Sequence, residues 1–241
     1  SRYRGSSAGL LWSLALPCSM LAIYYFVFGY INQPVRQNFF SHAGGNIALN
    51  LFAGLNLHAF LAECLSRAPQ AIIAQPSYVK RVVFPLHLLP FTVMGAAFVQ
   101  YLLASGILFA AHLLLHGFSW SLLAWPLSWL SLMVFSLEPC LLLSALAVYL
   151  RDIVQLTGFV SVFLLFMAPV FYPLASAPQG LQTALLFNPL TIPVETSRAL
   201  FAQAPLPDAY LLMAHALASV LFLVLGAWVF RKTRRGFADV I

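Results

Sequence analysis

Six stretches of this sequence, at residues 10–30, 47–64, 88–112, 122–148, 154–172 and 209–230, stay apolar over about the 20 residues that an α-helix needs to cross a bilayer. The last of them runs directly into Arg231, Lys232, Arg234 and Arg235. Only 7% of the 241 residues are charged, against about 25% in an ordinary soluble domain, and 62% are hydrophobic. So few charges cannot cover a water-facing surface. The expected fold class is an all-α integral membrane protein, which excludes a soluble enzyme, a nucleic-acid binder and a disordered chain.

The positions of the charges predict the topology. With six spans and a cytosolic N-terminus, Arg2, Arg4, Arg67, Lys80, Arg81, Arg151 and the four cations after the last span fall on the cytosolic side. Only Arg36 and Arg198 fall outside, so ten of the twelve Lys and Arg residues obey the positive-inside rule. The segment 173–208 is apolar on average but is broken by Pro173, Pro178, Pro189, Pro193, Pro205 and Pro207. A seventh crossing there would send the strongest basic cluster outside. The segment therefore reads as a re-entrant or interfacial helical hairpin, tolerated only where protein or water covers its irregular backbone. Both termini are then cytosolic, and the formal net charge of +6 is mainly an orientation signal.

The connections differ in length. A polar outer loop spans 31–46, and a tight outer turn is expected near His116-Gly117. The cytosolic loop 65–87 holds the amphipathic run Ala71-Ile72-Ile73-Ala74-Gln75, followed by Pro76-Ser77-Tyr78-Val79-Lys80-Arg81. A short helix at about 71–78, lying across the membrane face, is its natural shape. With no internal repeat, residues 1–241 form one membrane domain. The sequence opens on Ser1 rather than Met, so residues upstream of it are expected.

Several chemistries are absent. There is no GxxxxGK[ST] phosphate loop, and lysine occurs only at 80 and 232. There is no HExxH motif and no catalytic Ser/His/Asp or Cys/His set, so no catalytic residue is assigned. Cys18, Cys64 and Cys140 lie in apolar stretches without CxxC spacing and read as inert thiols. His112 and His116 have the i, i+4 spacing of a metal pair but no third ligand, so they read as interfacial residues and no metal site is assigned. Glu63 is four residues before Arg67, as in a structural ion pair.

Glu138 stands out among the carboxylates. It precedes Arg151 by thirteen residues, which places it roughly 20 Å along the helix and near mid-bilayer. Pro139 follows it. Two readings stay open: a substrate or proton site, or a neutral hydrogen-bonded carboxyl that pins a kink. Two aromatic stripes have helical spacing: Pro17, Leu21, Tyr24 and Phe28 in the first span, and Phe159, Phe163, Phe166 and Val170 in the fifth. Such rows serve as lipid contacts, as helix packing, or as a path along which sugar rings slide on aromatic faces.

Five strings, in order, resemble the membrane subunits of polysaccharide ABC exporters. Arg2-Tyr3-Arg4-Gly5-Ser6 with Gly9-Leu10-Leu11-Trp12-Ser13 and Pro17 is similar to the RYxxS…LGxLW…P start of the first span. Val79-Lys80-Arg81-Val82-Val83-Phe84-Pro85 with Leu88-Leu89-Pro90 resembles VKKVYFP…LP. Val148-Tyr149-Leu150-Arg151-Asp152-Ile153 resembles the V-x-x-RDI turn, and Asn188-Pro189-Leu190-Thr191 with Glu195 and Arg198 resembles NPLT…E…R. Phe237-Ala238-Asp239-Val240-Ile241 matches the family's usual ending. The chain departs from the pattern at Glu138-Pro139-Cys140, where small residues are usual, and at Ala147, where Asn is frequent.

The resemblance implies the permease of an ABC type-2 exporter of the O-antigen and teichoic-acid kind, in the inner membrane of a bacterial cell. It implies a homodimer around a central path, two copies of a separate ATPase that carries the ATP and Mg, and no cofactor on this chain. Ala71, Ile72, Ile73, Gln75, Ser77, Tyr78, Lys80 and Arg81 would form the coupling helix. Asn188, Pro189, Glu195 and Arg198 would shape an outer gate, with Glu195 and Arg198 close enough in sequence to pair. Tyr24, Phe28, Phe163 and Phe166 would line the path. Arg2 and Arg4 would hold a pyrophosphate head group at the entrance, or serve as a topology signal. The substrate would be a lipid-linked glycan. An ABC exporter of a smaller lipid or drug is the alternative, and a proton-coupled carrier using Glu138 is a further one.

Overall fold

The computed structural model describes residues 9–27, 46–80 and 84–240. Arg2, Arg4, Phe28 and Arg81 lie outside the described residues, and the side chain of Lys80 is not described. Among the described residues the structure is helical, without strands. In chain order the α-helices are α1 (Gly9–Tyr24), α2 (Ile47–Arg67), α3 (Gln70–Ile73), α4 (Pro76–Lys80), α5 (Leu88–His116), α6 (Pro126–Tyr149), α7 (Ile153–Phe166), α8 (Gln179–Leu186), α9 (Thr191–Ala202), α10 (Ala209–Thr233) and α11 (Phe237–Val240).

Helix ends follow local chemistry. The Asn46 side chain accepts from the Ala48 amide at 3.0 Å and starts α2. The Glu63–Arg67 pair forms at 2.7 Å in the last turn of α2. Gly117, at φ 78°, turns the chain out of α5 where a β-carbon would be strained. Beyond it, Ser119 caps the 3-10 turn Trp120–Ala124 before Pro126 opens α6. The expected tight turn at His116-Gly117 is thus the start of a longer capped connection.

Among the described residues, four helical stretches are long and apolar enough to cross a membrane: Ile47–Arg67, Leu88–His116, Trp120–Tyr149 and Ala209–Gly236. They coincide with the second, third, fourth and sixth expected spans. Those at 10–30 and 154–172 are represented by the shorter apolar helices Leu14–Val27 and Ile153–Phe166. At 14 residues, α7 covers about 21 Å, less than the hydrocarbon core. It stops six residues before the expected end because Pro169 and Pro173 cannot supply the amide hydrogens that would continue it. Val170 accordingly leaves the aromatic stripe of α7 and is fully buried.

The contacts divide the chain into two units. The first comprises Ser1–Leu57, Val99–Ser128 and Ala168–Pro207. Its core gathers Leu49, Phe52, Ala53, Ala104, Leu108, Leu122 and Phe201, with Leu21, Tyr24 and Trp125 packed against them. Asn56 donates to Ser105 at 2.8 Å and joins α2 to α5 within this apolar setting. The second unit comprises His58–Phe98, Trp129–Met167 and Asp208–Ile241. Its core contains Ile72, Leu89, Leu141, Ala145, Val148, Phe230 and Phe237. In this unit the His58 ring lies 3.0 Å from the Ser161 carbonyl oxygen, linking α2 to α7.

Candidate functional site

Within the first unit, α8 and α9 are short helices of 8 and 12 residues joined by Phe187-Asn188-Pro189-Leu190. Asn188 shapes this turn. Its side-chain oxygen accepts from the Leu190 amide at 2.9 Å, its amide donates to the Leu185 carbonyl, and its carbonyl accepts from the Thr191 amide. The Thr191 hydroxyl also donates to the Leu185 carbonyl, closing the turn from the other side. Pro189 fits because its missing N–H is not required and its fixed φ suits a turn. Nearly all of α9 is buried, with Ser197 and Leu200 bonded to the Trp125 indole and the Ser121 hydroxyl respectively.

Glu195 and Arg198 pair, as their spacing suggests, but the pair does more than brace its own helix. Arg198, 4% exposed, donates through Nη2 to the Pro169 carbonyl at 2.7 Å and the Val170 carbonyl at 3.4 Å. Glu195 accepts from the Leu174 amide at 3.0 Å through the same oxygen that receives Arg198 Nη1. Had a helix continued through this segment, Pro169 O would have needed an amide from residue 173, which is proline and has none. Val170 O would have used the Leu174 amide, which goes to Glu195 instead. The ion pair therefore satisfies the backbone groups that the proline break leaves without helical partners. Gly54 borders the same place: a β-carbon there would stand 3.1 Å from Val170 and 3.5 Å from Val194.

Within the second unit, the expected single helix at 71–78 is two short ones, α3 and α4, separated at Ala74-Gln75. Pro76 accounts for the break, since the residue before a proline is disfavoured in the α-conformation. The segment is two-sided. Ile72 is fully buried and Ala71 and Ile73 are half-buried, while Ala74, Gln75, Pro76, Ser77 and Tyr78 are exposed. Tyr78 rests against Phe84 with ring centres 4.8 Å apart, which stiffens the exposed side.

Glu138 lies in α6 of the second unit and is 7% exposed. Its neighbour is Gly226 of α10. A β-carbon at Gly226 would come within 2.9 Å of Glu138 Cγ and 3.0 Å of its backbone oxygen. The missing side chain lets the two helices approach at this carboxylate, a contact invisible to sequence spacing. The Cys64 thiol meets that of Cys140, so two cysteines 76 positions apart are brought together by α2 and α6.

The aromatic residues divide. Tyr24 packs on Phe52 at 6.4 Å in the first unit's core, as helix packing predicts. Phe159, Phe163 and Phe166 stand exposed along α7 of the second unit. His112 and His116 stack with ring centres 4.9 Å apart, and His112 also meets Phe201. No group of three or more metal-ligating side chains occurs among the described residues. Asn56 and His58, the polar links of α2, escaped the sequence reading. Their only signal was an amide and an imidazole inside an apolar run.

The chain is 26% identical over its whole length to the O-antigen export system permease protein RfbA of Myxococcus xanthus, covering 91% of that protein. It is 23% and 24% identical, again over its whole length, to two proteins of the same description from Klebsiella pneumoniae, covering 90% of each. The ABC-2 type transporter family matches residues 1–202, so the strings read from the sequence carried a true resemblance and the chain belongs to the ABC-2 type transporter family of membrane proteins.

Proposed function

We propose that this chain is the membrane-spanning subunit of an ATP-driven exporter that moves a lipid-linked polysaccharide of the O-antigen kind across a bacterial inner membrane. The observation that carries the reading is its full-length similarity to three O-antigen export permeases. ATP hydrolysis would come from two copies of a separate ATPase, since the sequence has no phosphate loop of its own. The working form would be a homodimer with six spans per protomer and both termini cytosolic. Ten of twelve cations on one side support that orientation.

In this reading the exposed face Ala74–Tyr78 receives the ATPase, with Lys80 and Arg81 beside it, and passes nucleotide-driven closure on as rigid-body motion. The hairpin of α8 and α9 narrows the outer exit, and the Glu195–Arg198 pair ties it to the break after α7. The exposed rings of Phe163 and Phe166, with Tyr24 and Phe28, would border the glycan path. Arg2 and Arg4 would meet the pyrophosphate head group by charge-assisted hydrogen bonds.

Reconstitution into vesicles tests the reading. The chain together with its ATPase should move a lipid-linked glycan only when ATP is supplied. Transport by the chain alone, driven by a pH gradient and abolished in Glu138→Gln, would replace this reading with a proton-coupled carrier. ATP-driven movement of small lipids or drugs, with none of the glycan, would narrow it to the other exporter class.

A further inference from the structure

We propose that the segment 234–240 is part of the coupling device, with Phe237 a positioning residue that holds α3 and α4 in place from their buried side. This rests on the reading of the 70–80 loop as the ATPase-facing surface.

Helices of four and five residues have no independent stability in water, because nucleation costs more than so few hydrogen bonds return. Their position must come from what they pack on. In α3 the buried residue is Ile72, and it shares one cluster with Phe237, both fully buried. Half-buried Ala71, Ile73, Val79 and Phe84 pack against that cluster, so the loop's apolar side as a whole faces it. The last short helix, α11, also lies directly against α4.

The segment is itself fixed at several points. After α10 the chain makes a 3-10 turn, Arg234–Gly236, and then enters α11. The Tyr149 hydroxyl donates to the Thr233 carbonyl at 2.8 Å, satisfying an acceptor at a helix end where intrahelical donors have run out. A β-carbon at Gly236 would sit 2.6 Å from the Tyr149 oxygen, so a larger residue there would have to push the tyrosine hydroxyl aside. Phe237 meets Phe230 edge-on at 5.9 Å and Tyr149 at 6.1 Å. Its ring is thus held by α10 and α6 and presented to Ile72. A load applied to the exposed loop face then passes through Ile72 and Phe237 into two long helices, because close-packed interiors transmit displacement. The family match ends at residue 202, before this segment, and nothing in the relatives' descriptions assigns it a role.

The test compares wild type, Phe237→Ala, Phe237→Leu and the milder Ile72→Val, each as the full chain. In the permease without ATPase, hydrogen exchange is followed at the Ala74 and Gln75 amides, which bond to the Gln70 and Ile72 carbonyls. Phe237→Ala should speed exchange there by about tenfold or more while leaving helix 99–116 unchanged, and Phe237→Leu should stay near wild type. In the complex with ATPase, Phe237→Ala should lower glycan moved per ATP hydrolysed several-fold at an unchanged membrane level. Ile72→Val should shift both readouts in the same direction by less, and it supplies the measurement if Phe237→Ala does not accumulate. Unchanged exchange at Ala74 and Gln75 overturns the proposal. So does faster exchange throughout the chain, which would make Phe237 an ordinary core residue, and so does a wild-type transport ratio despite a loosened loop. If wild-type permease binds no ATPase, the proposed function fails, while the exchange measurement still decides whether Phe237 holds the loop.

Discussion

At the residue scale, Arg198 shows how far a charged side chain's role departs from its spacing. Its separation from Glu195 made an i, i+3 pair legible in the sequence, and Pro173 already said that the carbonyl of residue 169 could not find a helical partner. What joins the two facts is tertiary: α9 brings the guanidinium to the break, where it bonds the carbonyls of Pro169 and Val170. Arg198→Ala should strand those carbonyls and leave Glu195 without its cation in a largely buried place. Removing one partner of a buried pair costs about 3 kcal/mol, so the solubilised variant should melt measurably earlier. Export should fall, while association with the ATPase, which the proposed function assigns to the 70–80 loop, should persist. Arg198→Lys should recover only part, because an ammonium cannot present the forked donors that reach Glu195 and Pro169 together. Wild-type export from Arg198→Ala would remove the gate role.

At the element scale, composition revealed the helices that run unbroken and misjudged those that prolines shorten. Stretches around α2, α5, α6 and α10 were legible because their long apolar runs carry no proline beyond the first turn except Pro139, which α6 accommodates. The end of α7 and the split between α3 and α4 were not, because an apolar average hides where Pro169, Pro173 and Pro76 withdraw a donor or restrict the preceding residue. Helix partners were hidden as well, and the approach of α6 to α10 at Glu138 and Gly226 is the clearest case. Gly226→Ala should force apart backbones that meet at 3.0 Å from the added carbon, at a cost of about 1–3 kcal/mol. Its effect should appear as a lower melting temperature of the solubilised protein. Adding Glu138→Ala should restore only part of the loss, since the backbone oxygen of residue 138 obstructs the new methyl group as much as the side chain does. Full restoration by that second change would mean the carboxylate side chain alone sets the spacing.

At the scale of the whole molecule, the number of crossings turns on 173–208, and the lengths of its helices bear on that number. α8 and α9 rise about 12 and 18 Å, each well short of a hydrocarbon core of about 30 Å. Under the proposed reading the two pieces fold back on each other, the segment leaves the membrane on the side from which it came, and the cluster after α10 joins the cations assigned to the cytosolic side. Thiol labelling can read this directly, because Cys64 and Cys140 are buried and replacing Cys18 with serine removes the remaining exposed thiol. In that background Ser176→Cys and Pro205→Cys place exposed thiols at the two ends of the hairpin, and Ser77→Cys places one on the loop face of α4. A membrane-impermeant maleimide added to intact cells should label residues 176 and 205 alike and leave residue 77 unlabelled until the membrane is opened. Labelling of only one hairpin end from outside would mean that the segment crosses. Arg231, Lys232, Arg234 and Arg235 would then lie opposite the 70–80 loop, and a coupling surface braced by Phe237 could not share a side of the membrane with them.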